Sequence, residues 1–418
     1  MRHGIVGLAI VLVVVSLLLD LYVQQGIRTL LSSASKGTRK VVITVYWAIQ
    51  VLIVILMTVG MMRSSKPPGM TPFNQWVLSI FITLLVSKVF FVLVLFPADI
   101  YRLVVGLVNA IGKKPGTGSY VPARRRFVGE AAVLAASVPF TSFMYAMFKG
   151  KYDYKVHRQT FYFDDLPAAF DGFTITQLSD IHSGSFDNVD AIQRGIDLAN
   201  AQRSDLFVFT GDLVNNVASE IEPYIDRFKQ LKAPYGQFSI LGNHDYGDYI
   251  RWPGGEQQKA ANLKKLKQHH AELDYRLLLD EHVTLEKNGQ KIILAGVQNW
   301  GRDFIQIGDL DKALDGVAKD DFTILLSHDP THWEEKVRYH DKLVHLTLSG
   351  HTHGAQFGVE TAKFRWSPVK NRYLDWAGPM EENRRNLYVN RGFGFLAFSG
   401  RLGIWPEITV IELRKRIA

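Results

Sequence analysis

Four stretches early in the chain, roughly 4–22, 41–62, 76–97 and 127–148, are almost wholly apolar. Each has about the 20 residues a helix needs to cross the hydrocarbon core of a bilayer. A helix packed on a water-soluble core keeps a polar face, and these stretches show almost none. A leader peptide accounts for one such stretch, not four. The sequence therefore predicts four transmembrane helices in a membrane domain, residues 1–150, followed by a second domain, residues 151–418.

Charge sorts with that division. The net charge is +8, but residues 1–158 carry 18 Lys/Arg against Asp20, Asp99, Glu130 and Asp153, a net of +14, which leaves −6 for 159–418. The basic excess thus has a membrane explanation. No basic stripe with interleaved aromatics occurs in the second part, so nucleic acid is not expected as a partner. Arg28, Lys36, Arg39 and Lys40 lie in the 23–40 loop, and Arg102, Lys113, Lys114 and Arg124 to Arg126 in the 98–126 loop; the 63–75 loop has only Arg63 and Lys66. Placing the two richer loops in the cytoplasm puts both chain ends outside. Lys149, Lys151, Lys155 and Arg158 pull the other way. The loop charges thus predict an integral membrane protein with the second domain extracytoplasmic.

Three further features stand out in the first part. "ARRRFVGEAAVLAASVPF" (123–140) has the form of a twin-arginine export signal, or of a plain positive-inside flank; both readings export the second domain. Lys88 sits mid-span, where charge is costly, and is expected to pair with Glu130 or to reach the interface. "ADIYRLVVGLVNAIG" (98–112) reads as an interfacial amphipathic helix.

After residue 150 the pattern changes. Short β-rich runs occur at 173–178, 206–210, 237–241, 293–298, 322–327 and 344–349, with helical candidates near 188–201, 219–232 and 256–271. Strands alternating with helices predict an α/β domain with buried sheets. There is no cysteine, so a metal site must use nitrogen and oxygen ligands.

Five of these runs end in polar groups. "FTITQL" runs into "SDIH" with Asp180 and His182, and "LFVFT" into "GDLVNN" with Asp212. "QFSIL" runs into "GNHD" with Asn243, His244 and Asp245, "FTILLS" into "HDP" with His328, and "VHLTLS" into "GHTHG" with His351 and His353. In open α/β sheets the carboxyl edge is where ligands bind. So many imidazoles, carboxylates and amides at one edge would be hard to satisfy without a cation. His351 and His353 diverge from one turn and are able to serve two adjacent ions, an arrangement suited to phosphoryl chemistry.

The ordered set D-x-H, G-D, G-N-H-D, H, G-H-x-H resembles the signature of calcineurin-like metallophosphoesterases over most of 170–415. "NRGFGF" (390–395) and "PEITVIEL" (406–413) are similar to the bacterial membrane-linked subgroup, and that similarity implies a bacterial inner membrane as the location. The resemblance implies a sandwich of two mixed β-sheets flanked by helices. It implies two divalent metal ions, Mn, Fe, Zn or Mg, with Asp180, His182 and His353 on the first, Asn243, His328 and His351 on the second, and Asp212 bridging both. His244 would stay off the metals and assist the leaving oxygen, with Asp245 orienting its ring. Asn215 stands where relatives often have Asp or Arg, a position expected at the rim.

The activity implied is hydrolysis of a phosphoester or pyrophosphate, on a lipid-linked or envelope substrate given the membrane helices. An alternative substrate is the pyrophosphate of UDP-2,3-diacylglucosamine in lipid A synthesis, which is made inside the cell. An alternative of another class is a non-catalytic metal-bound sensor or scaffold; an incomplete ligand set would favour it. His345 reads as a structural histidine, and His332 as structural or substrate-touching. Arg391 and Arg401 read as structural pairs, or as a fork for phosphate. "HDYGDYIRWPGG" (244–255) reads as a lid or lipid-facing rim, or as a packing loop.

Overall fold

The computed structural model describes residues 2–63, 71–111, 122–361 and 363–416. Four long helices come first: α1 (Arg2–Leu30), α2 (Lys36–Arg63), α3 (Pro72–Ile111) and α4 (Pro122–Phe148). All four are long and apolar enough to cross a membrane. Their exposed faces carry residues such as Leu18, Leu93 and Leu134, as a face turned to lipid requires.

The expected break at residue 98 does not occur. α3 runs through Pro97 without interruption, so 98–111 continues the third helix and is not a separate interfacial one. At 40 residues it is about 60 Å long, twice the hydrocarbon thickness, so it extends past the apolar core. Arg102 pairs within α3 with Asp99 at 3.1 Å. Lys66, Lys113 and Lys114, and the side chains of Arg124 and Arg125 in the export-like motif, lie outside the described residues.

Lys88 takes a different partner from the one the sequence led us to expect. Its ammonium lies 2.7 Å from Asp20, and donates to Gln50 at 2.7 Å and to Ser16 at 3.1 Å. Tyr46 also donates to Asp20. Three acceptors match the three ammonium protons, so the buried charge stays in the bundle and ties α1, α2 and α3 together. Glu130 instead pairs with Arg126, one turn away at 2.9 Å.

The chain divides into two compact units, Met1–Arg63 with Trp76–Tyr145, and Ser64–Gln75 with Ala146–Ala418. Lys151 and Tyr152 are buried in the second. That unit holds two six-stranded mixed sheets. The first runs β1 (Lys155–Phe163), β14 (Glu407–Lys415), β2 (Thr174–Leu178), β3 (Leu206–Phe209), β4 (Gln237–Ser239), β5 (Arg276–Leu277). The second runs β12 (Gly378–Glu382), β13 (Arg385–Val389), β9 (Leu346–Ser349), β8 (Thr323–Leu326), β7 (Gln290–Gly296), β6 (Glu281–Lys287). A hairpin of β10 (Val359–Glu360) and β11 (Arg365–Trp366) stands apart.

The sheets face each other. Ile175, Val208 and Phe238 of the first pack with Leu294, Ile324 and Leu348 of the second. Helices cover the outer faces. In Val189–Asn200, Asn188 caps the start by accepting from Ala191 N, and Ala191, Ile192, Gly195, Ile196 and Ala199 form the buried stripe. This is the two-sheet sandwich the resemblance implies. β2, β3, β8 and β9 are buried on both faces, as parallel strands are. The helix expected near 219–232 shrinks to short turns and Ile225–Phe228. Pro223 lacks an N–H, and the Glu220 carboxylate takes the N–H groups of Asn215, Asn216 and Val217.

Candidate metal centre

Five parallel strands end at one place. β2, β3 and β4 of the first sheet and β8 and β9 of the second deliver their carboxyl ends to a common edge. The loops after β2, β3 and β9 leave their strands by abrupt bends. Asp180 (φ 52°), His182 (φ 47°), Asp212 (φ 60°), His351 (φ 71°) and His353 (φ 51°) are all left-handed. That region is sparsely populated by residues other than glycine, and such strain collects at functional sites. Glycines let the loops close. A Cβ on Gly350 would strike Ser179 Oγ and Asp180 Oδ2, and one on Gly242 would strike the Asp212 carboxylate.

Two triads result, Asp180 with His182 and His353, and Asp212 with His328 and His351; in each the candidate ligand atoms lie within 4.8 Å of one another. In the first, His182 Nε2 is 3.0 Å from His353 Nε2, which is 3.2 Å from Asp180 Oδ1. In the second, His328 Nε2 is 3.1 Å from Asp212 Oδ2 and 3.3 Å from His351 Nδ1, and that Nδ1 is 2.8 Å from Asn243 Oδ1. Asp212 Oδ2 also lies 3.5 Å from His182 Nε2. One carboxylate oxygen therefore stands between the triads. The other, Oδ1, accepts the His244 backbone N–H at 2.8 Å.

The donor set fits divalent cations. Burial pushes the His182 imidazole down to about 3 and His351 down to about 4, and holds His353 well below the usual range. These rings are neutral and offer lone pairs, as ligands must. Asp180 is pushed up to about 6 by burial and by the Asp212 charge, although the His328 ring opposes it. Burial would lower His328, but the Asp212 carboxylate beside it drives it up to about 10. A cation between the two would replace that proton. His328 Nδ1 faces Thr210 O at 2.7 Å, which turns Nε2 into the site.

The site also contains groups that the motifs did not single out. Asp329 has one oxygen on the Thr331 N–H and hydroxyl, each at 2.8 Å, and the other 3.5 Å from His351 Nε2. Tyr373 OH lies 2.9 Å from the same nitrogen. Tyr373 thus holds His351 so that Nδ1 faces the site, as the outer partner of a ligating histidine does, with the Asp329 carboxylate nearby. Asp329 was readable as the residue after His328; Tyr373 had no local signal. Tyr249, within 244–255, places its ring 4.4 Å from that of His244 and its OH 2.7 Å from Asn243 Nδ2. That stretch therefore caps the site on one side.

Asp245 does not orient His244. Its buried carboxylate accepts from Gly242 N, Asp212 N and Leu213 N at 2.9 Å each, and from Val214 N at 3.3 Å. It ties the 212–214 loop to the 242 loop, because four converging N–H groups outcompete a ring that points away. Burial and the Asp212 charge push it up to about 7. The His244 ring is held by Asn215, whose carbonyl lies 2.8 Å from Nδ1. Asn215 is itself buried, beside Ser185, not at the rim. His332 is buried against Ser327 Oγ at 2.8 Å and beside Trp300, a structural role. His345 bonds Thr323 N and Asp165, each at 3.0 Å. Arg391 pairs with Glu407 and Glu360. Arg401 is buried against the back of His353, with Nη2 3.3 Å from Nδ1.

Comparison with known proteins agrees with this geometry. A family model described as calcineurin-like phosphoesterase matches residues 173–355. Another, described as a probable calcineurin-like phosphoesterase transmembrane domain, matches 2–151. An uncharacterised metallophosphoesterase of Bacillus subtilis is 31% identical over 255 residues, 60% of this chain and 82% of that one. A phosphodiesterase of Escherichia coli is 26% identical, covering 69% of this chain and 98% of its own. A zebrafish (Danio rerio) transmembrane protein with a metallophosphoesterase domain is 27% identical over 60% of this chain but 55% of its own length.

Proposed function

The chain belongs to the calcineurin-like phosphoesterase family, and we propose that it cuts a phosphoester or pyrophosphate of a lipid-linked or envelope molecule, using two metal ions, on the extracytoplasmic face of a bacterial inner membrane. It is a membrane protein and a metal-dependent phosphoric ester hydrolase. The observation that carries the two-ion reading is the Asp212 carboxylate between two His/Asp triads. When bound, divalent ions would supply activated water and neutralise phosphoryl charge.

The protein's own groups do the rest. Asp180, His182 and His353 would hold one ion, Asn243, His328 and His351 the other, and Asp212 both. His244 donates its Nδ1–H to the Asn215 carbonyl. That leaves Nε2 as the nitrogen through which a proton would pass to the leaving oxygen. Asp245 keeps the loops of Asp212 and His244 in register through backbone hydrogen bonds. The completeness of the ligand set favours catalysis over a sensor or scaffold.

Orientation rests on loop charge and has a direct test. A C-terminal alkaline-phosphatase fusion is expected to be active, and a C-terminal fluorescent protein that matures only in the cytoplasm is expected to stay dark. The opposite pattern puts the centre inside and favours an intracellular substrate such as UDP-2,3-diacylglucosamine.

A further inference from the structure

We propose that the β10–β11 hairpin and the loop after it form a docking surface that seats the mouth of the metal centre on an anionic lipid bilayer. The segment is built directly on the ligand loop. The chain leaves His353, runs out through β10 and β11, and returns at Tyr373, whose OH is 2.9 Å from His351 Nε2. Ser367 Oγ, just past β11, donates to Gly354 O at 2.7 Å and fastens the base of the hairpin to the ligand turn.

Its sidedness is inverted. Val359 pairs with Trp366 and Glu360 with Arg365. A hairpin in water turns its apolar pair inward and its polar pair outward. Here the charged pair makes the inward contacts: Glu360 bonds the buried Arg391, and Arg365, though itself exposed, lays its guanidinium 5.2 Å from the centre of the buried Trp376 ring. Val359 and Trp366 face away and are 48% and 43% exposed. Phe364, two residues before Trp366 and so on the same side of the strand, is 58% exposed, and Leu374, in the loop that follows, is 78% exposed. Large apolar side chains gathered in the open on one short segment mark it as a candidate interaction site.

Charge selects the partner. Residues 359–374 carry Lys363, Arg365, Lys370 and Arg372 against Glu360, a net of +3 in a part of the chain whose net is −6; Arg365 stands across from Glu360 and Arg372 pairs with Asp303 at 3.0 Å, so Lys363 and Lys370, both exposed, are the basic groups open to a partner. Aromatic side chains beside lysine and arginine suit the boundary between headgroups and acyl chains, and anionic headgroups attract the basic residues. A second copy of the chain would set +3 against +3 across a two-fold contact, which disfavours it. The four membrane helices of the same chain keep a bilayer within reach.

One consequence concerns substrate: a phosphoester whose headgroup stands at the lipid surface would reach the metals without leaving the membrane. That consequence rests on the phosphoesterase reading; the docking itself does not.

The chain has no cysteine, which makes site-specific labelling direct. Full-length Phe364→Cys, carrying an environment-sensitive fluorophore, is placed in vesicles of phosphatidylcholine with or without phosphatidylglycerol. Asp311→Cys is the control, since the Asp311 side chain is 93% exposed. With phosphatidylglycerol, the label at 364 is expected to be quenched by nitroxide lipids and shielded from aqueous iodide, several-fold relative to 311. Shielding should fall in pure phosphatidylcholine and at high salt. A label at 364 as open to iodide as the one at 311 overturns the proposal. Equal shielding in both lipids overturns its anionic part. Trp366→Cys, labelled in the same way, must agree. The readout needs no turnover, so a docked but inert protein counts against the phosphoesterase reading alone.

Discussion

Asp212→Asn is expected to strip both metal ions from the protein. The carboxylate has one oxygen on the His244 N–H, and the other within 3.5 Å of His182 and 3.1 Å of His328. An amide that keeps its carbonyl on the His244 N–H turns its NH2 toward those imidazoles. That is a donor where a bridging lone pair is required. Partners outside the ligand shell cost about 10–100-fold in metal affinity or activity; loss of a ligand shared by both ions should exceed that at each. Elemental analysis of the purified variant should show metal falling toward zero, with activity declining in step. Retention of two ions per chain would remove Asp212 from the bridging position.

His244→Ala should fail in another way. The ring belongs to neither triad; it leans edge-on toward His182 at 4.9 Å between ring centres and is capped by Tyr249. Both ions should therefore remain. Turnover should fall by about 10²–10⁴-fold, the range for a positioned general acid. A nitrophenyl ester, whose leaving group needs little protonation, should lose less than an alkyl ester. If the variant loses metal as fully as Asp212→Asn, or slows both esters equally, His244 is not the leaving-group acid.

Much of the metal centre is legible in the sequence because its groups lie next to strands. The runs ending at Leu178, Phe209, Ser239, Leu326 and Ser349 are short β-rich blocks, and the site group after each is visible without knowing the fold. The features that escape a reading of the sequence depend on contacts between distant segments. The Asp245 carboxylate faces Asp212, Leu213 and Val214 because the two loops meet in space; beside His244 in the sequence, it looks like a partner for that ring. Lys88 finds Asp20 only once α1 and α3 pack together. Tyr373 reaches His351 after an excursion through the hairpin. The edge strands β5, β10 and β11 have two residues each, too short for any periodicity to register.

The proposed mechanism requires that the Asp212 carboxylate join two metal ions. Manganese-loaded full-length protein, assayed for metal content and by electron paramagnetic resonance, tests this most directly. Two ions per chain with a spin-coupled signal are predicted, and chelation should abolish that signal together with activity. One ion per chain, or two that resonate independently, would contradict it.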